Sequence, residues 1–182
     1  YSNPLYLNPA FTGTLGVPRI NLQYRDQWHA LPNAYVTQSA SFDFPVPQLR
    51  GALGANIVKD AQADNLLTSW QADFIYSSVF RMTEGLYFSG AIEAGYHQNS
   101  LNWNGLVFPD NLDPYLGQHT ITSETVIPDP DYHFFDFGTG VIVFGEKMFA
   151  GEAVHHLSQP SQSWYQGSDA ASRLKRKYTL HF

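Results

Sequence analysis

The chain has 182 residues, enough for one domain with its own core and too few to argue for several. Aromatic residues reach 15% and charged residues only 14%, well under the roughly 25% charged content of soluble domains. A net charge of −6 excludes a general nucleic-acid binder, which needs clustered Lys and Arg against phosphate, and the absence of cysteine excludes a disulfide framework or a thiolate metal site. No stretch approaches the roughly 18 consecutive apolar residues of a spanning helix, so any membrane crossing is made with strands. The opening at Tyr1 rather than Met is what a mature or trimmed product would show.

Residues 1–18 carry Asn3-Pro4, Asn8-Pro9, Gly13, Gly16 and Pro18, which punctuate the segment too often for a regular element and predict an irregular lead-in. From Arg19 to Trp28 one parity holds Ile20, Leu22, Tyr24 and Trp28 and the other Asn21, Gln23, Arg25 and Gln27, a period-two strand. Ala34 to Phe44 reads as its hairpin partner, which Pro45 and Pro47 are expected to end because proline cannot donate to a ladder. Gly51 to Val58 is a weaker strand, and Leu67 to Arg81 alternates strongly. The clearest alternation sets Leu86, Phe88, Ile92, Ala94 and Tyr96 against Ser89, Ala91, Glu93, Gly95 and His97.

Residues 101–133 break the pattern with four prolines and five acidic residues, a loop long enough to be functional or mobile. Strands are predicted again at 134–144, 147–155 and 175–182, about eight in all. A helical stripe free of Pro and Gly appears nowhere.

Such alternation suits either a soluble β-sandwich or an antiparallel up-and-down transmembrane β-barrel, whose strands must close because lipid satisfies no backbone group. The second face decides between them. It carries Ser, Thr, Gly, Gln and Ala rather than the Lys and Glu of soluble sheets, as a crowded or plugged lumen requires. The fold expected is therefore an all-β outer-membrane barrel, one domain over residues 1–182 and incomplete at the C-terminal end, with the closing strands beyond Phe182.

Asn8-Pro9-Ala10-Phe11-Thr12-Gly13, Arg19, Tyr24-Arg25-Asp26-Gln27-Trp28 and Ser41-Phe42-Asp43 stand in a fixed order, followed by Phe108-Pro109-Asp110, His156-Leu157-Ser158-Gln159-Pro160 and Leu174-Lys175-Arg176-Lys177-Tyr178. This ordered set resembles the PorP/SprF family of type IX secretion membrane proteins of Bacteroidetes-type bacteria. The resemblance implies an outer-membrane barrel tied to secretion or gliding motility. Its implied partners are a secreted, adhesin-type cargo protein with a type IX C-terminal sorting domain, components of the secretion machinery, and outer-membrane lipid. It marks Asn8, Pro9, Ala10, Gly13, Arg19, Tyr24, Arg25, Gln27 and Trp28 as structural positions.

Catalysis is not expected, since Ser, His and Asp are present without a Gly-x-Ser-x-Gly elbow or comparable signature. Nor is any cofactor, metal or small-molecule substrate. The acidic residues of 101–133 match no EF-hand spacing. His155 and His156 are adjacent and should point to opposite faces of a strand, with a luminal hydrogen bond for one of them. Arg25 and Asp26 likewise point apart, and Arg25 joins Asn21 and Gln23 in a luminal network. Arg173, Lys175 and Lys177 share one face of the predicted last strand, at the rim or in the lumen. Partner contacts are expected on the long loop, at Trp103, Phe108, Asp110, Asp113 and Tyr115, where the aromatics are of the kind enriched at interfaces. The readings held open are a docking barrel, a passive outer-membrane pore and a soluble binding module.

Overall fold

The computed structural model describes residues 3–28, 35–108, 112–113, 117–118, 131–163 and 172–182. Eight strands form one antiparallel sheet in strict chain order: β1 (Arg19–Gln27), β2 (Tyr35–Val46), β3 (Gly51–Gln62), β4 (Leu67–Thr83), β5 (Leu86–Leu101), β6 (Asp131–Gly145), β7 (Phe149–His155) and β8 (Lys177–His181). This is an up-and-down meander curved into a half-barrel whose edge strands, β1 and β8, do not pair with each other. Among the described residues no helix is long and apolar enough to cross a membrane, which leaves crossing by strands open.

The connections are asymmetric. At one end the turns are short, at 47–50, 84–85 and 146–148. At the other lie 28–34, 63–66, 102–130 and 156–176, the pattern of outer-membrane barrels with short periplasmic turns and long outer loops. Several strands outrun the sequence reading: β4 and β5 reach Thr83 and Leu101, and β6 starts at Asp131.

β2 also continues through Pro45, which pairs with Ala52. β1 begins only opposite Asp43, so beyond that point β2 is an edge on one side, where a missing N–H costs nothing. The predicted final strand is shorter than expected. It starts at Lys177, while Arg173 forms an isolated bridge with Ser161 and residues 174–176 are irregular, so the basic run does not share a strand face.

The outward face is apolar and aromatic, with Leu22, Phe42, Ile57, Phe74, Ile92 and Phe137 all exposed. On β4, Trp70 and Phe80 bracket this face. Ten residues at ~3.3 Å each with a tilt of roughly 40° separate them by about 25 Å along the barrel axis, the height of the apolar band in membrane barrels. The inward face is small at the level of the short turns, at Ala52, Gly54, Ser77, Ser89, Ala91, Gly140, Gly151 and Ala153.

Candidate functional site

Those small residues make room for the N-terminal segment, which does not lie outside the sheet but fills its concave side. Pro4–Leu7 forms a short helix, α1, and Pro9–Phe11 a 3₁₀ turn, each with proline in the first turn where its missing N–H is harmless. The predicted irregular lead-in is thus two short helical turns packed as a plug. Leu5, Asn8, Ala10 and Thr12 are wholly buried. Leu5 and Ala10 join Ile75, Ala91 and Ile142 in the hydrophobic core, with Phe11 and Phe144 against it.

The plug is held by hydrogen bonds that map onto the ordered sequence motif. The Asn8 side chain caps the 3₁₀ turn, its Oδ1 accepting from Ala10 N–H at 2.8 Å. Its Nδ2 donates to the Val141 and Glu152 carbonyls, both at 3.2 Å. A Cβ on Gly140 would collide with Asn8, and one on Gly13 with Ala52. Gly13 also has φ +73°, the left-handed region that glycine occupies freely.

Arg19 and Asp43 fasten the end of the plug. Arg19 Nε donates to Asp43 Oδ1 at 2.8 Å and Nη2 to the Phe11 carbonyl at 2.9 Å, while Gly13 N–H donates to Asp43 Oδ2 at 2.8 Å. Ser77 and Ser89 donate to the Thr12 and Ala10 carbonyls at 2.6 and 2.8 Å. At the start of the plug Asn3 donates to Asn56, which donates to Asp73.

Above the plug, toward the long loops, the inward residues become long and polar and surround a space of about 670 Å³. Its wall includes Gln23, Arg25, Gln27, Thr37, Asp60, Gln71, His97 and Asn99, and its floor Asn3, Tyr6 and Leu7. Arg25 thus does join Gln23 on the luminal face. Tyr24 points outward and is exposed, and Trp28 leaves the strand at φ +58° with its ring 5.3 Å from Tyr35.

Three imidazole–carboxylate pairs ring the junction between plug and vestibule: His97–Asp73 at 4.0 Å, His155–Glu93 at 3.4 Å and His156–Asp136 at 2.6 Å. Their three carboxylates, with His155, His156, Tyr6 and Lys177, line a void of about 40 Å³, and the Lys177 Nζ lies 5.4 Å above the Tyr6 ring; His97 lines the larger space instead. The expectation that His155 and His156 face opposite ways fails here. His156 leaves β7 with φ +61°, a left-handed turn that ends the alternation and brings both rings to the luminal side, centroids 6.4 Å apart. Among the described residues no group of three such side chains is placed to hold a metal ion.

On the long loop, Trp103 and Phe108 come together with ring centroids 5.2 Å apart. Asp113 belongs to a two-residue bridge, Leu112–Asp113 with Gly117–Gln118, and Asp110 and Tyr115 lie outside the described residues. The plug is what sequence reasoning missed. Periodicity has no purchase on a segment that packs inside a barrel, although the small second face was a signal that something occupies the lumen.

Comparison with curated proteins and with solved structures returns no match. Residues 1–182 match the family described as type IX secretion system membrane protein PorP/SprF. The asparagine, glycine, arginine and aspartate of the ordered motif are the residues that seat and fasten the plug, so the match runs through the working parts of the fold as well as along its length: the chain belongs to the PorP/SprF family of type IX secretion system membrane proteins.

Proposed function

We propose that the chain is the wall and plug of an outer-membrane barrel that holds a secreted protein, or a component of the secretion machinery, at its long-loop end. The role is non-catalytic. The observation that carries this reading is the plug: a lumen filled by Leu5, Asn8, Ala10 and Thr12 at zero exposure is ill suited to passive diffusion, whereas the polar vestibule lies on the long-loop side of it. The apolar outer band of about 25 Å supports insertion in a bilayer, and the unpaired edges of β1 and β8 support a sheet that further strands complete, since lipid tolerates no open edge.

Two measurements test it. In planar bilayers the full-length protein should show no steady conductance; a stable open channel would overturn docking in favour of a pore. Purified from native membranes, it should carry a secreted protein with a C-terminal sorting domain or a secretion component. Removing residues 111–128 should release that partner while leaving the barrel intact. Retention of the partner would place the contact outside residues 111–128, and so away from Asp113 and Tyr115.

A further inference from the structure

Among the described residues, the outward face of the half-barrel carries charge at the rim and, with one exception, nowhere else. Among the described strands the outward Asp26, Lys59, Asp131 and His133 stand at the long-loop ends, where Lys59 Nζ lies 5.2 Å over the Trp70 ring and His133 5.9 Å from Tyr96. Glu152 is different. It sits at the middle of β7, where Gly151, Ala153 and His155 are buried toward the lumen and Glu152 between them is exposed on the other side. Its outward cross-strand neighbours are Val141 and Leu180, exposed by 42% and 77%, and its carboxylate has no partner among the described residues.

A carboxylate bare to lipid is unfavourable, less so than Lys or Arg but still depth-dependent, and ionisable groups at membrane depth pair with others. Among the described residues the remainder of this outer face offers no cation below the rim. A second copy docked through it would set Glu152 against apolar side chains or another carboxylate, so a second copy does not supply the complement. We propose that the Glu152 strip of β6, β7 and β8 is a lateral docking surface for a second membrane protein, which presents a lysine or arginine from its own lipid-facing side. This rests on the barrel reading above.

The chain has no cysteine, so single thiols can be placed at will. Val141→Cys, beside Glu152, and Phe74→Cys, on a distant part of the same face, are introduced into the full-length protein in native outer membranes and coupled to a short photo-crosslinker. Val141→Cys should give an adduct with one other membrane protein, mapped to a peptide with a lipid-facing Lys or Arg, while Phe74→Cys gives lipid adducts only. Adding Glu152→Gln should lower the protein adduct about tenfold, the size of losing one hydrogen bond to a charged group, and Glu152→Asp should largely preserve it. Lipid adducts alone at Val141→Cys, an adduct indifferent to Glu152→Gln, or one mapping to this protein itself would overturn the inference while leaving the barrel reading intact. If both thiols instead react fully with a membrane-impermeant aqueous reagent, the barrel reading fails and the inference with it.

Discussion

Asn8 shows how much one side chain does in this fold. Fully buried, it caps a helical turn with its oxygen and bonds two strands with its nitrogen. Asn8→Ala should therefore cost about 2–3 kcal/mol, a lost cap plus two lost hydrogen bonds, read as a lower urea midpoint for the full-length protein in detergent. Asp43 is buried and accepts from Arg19 and Gly13. Asp43→Ala strands the Arg19 guanidinium and should cost about 3 kcal/mol, the lower end for breaking a buried pair, because Arg19 keeps 14% of its side chain exposed. Some of this was legible in the residues. Asn8, Gly13 and Arg19 stand out as an ordered motif, but nothing local says that Asn8 reaches carbonyls more than 130 positions away in sequence. His155 and His156 were misread because a positive φ at His156 is invisible to an alternation rule that assumes the strand continues.

At the scale of elements, strand positions were legible because period two survives wherever one face must be apolar and the other small or polar. Their ends were not, since β4, β5 and β6 run on into residues whose outward positions are polar, which a hydrophobic pattern cannot register. The plug was not legible as an element either, being too short and too rich in proline. Its seat offers the sharpest test of its role. Gly140→Ala places a methyl group against Asn8 and Gly13→Ala one against Ala52 at a left-handed φ. Both should loosen the plug without dismantling the eight-stranded sheet, and the strand content by circular dichroism should stay unchanged. In planar bilayers each variant should show intermittent openings absent from the parent protein, and deletion of residues 3–13 a steady conductance. A deletion that stays silent would mean that the plug does not close the lumen.

For the molecule as a whole, the half-barrel combines a short-turn side filled by the N-terminal segment, a polar vestibule of about 670 Å³ and an apolar outer band. Composition alone suited a soluble sandwich as well as a barrel; the uncharged second face, which suits a filled interior, is what pointed to that arrangement. On the proposed reading, what the molecule holds depends on the surfaces of its long loops, where no periodicity operates. The central claim is that a plugged barrel retains a secreted protein. It is tested most directly by purifying the full-length protein from native outer membranes and quantifying what accompanies it by mass spectrometry. The account predicts a secreted protein with a C-terminal sorting domain or a secretion component in near-stoichiometric amount; a preparation that conducts ions steadily and carries neither would contradict it.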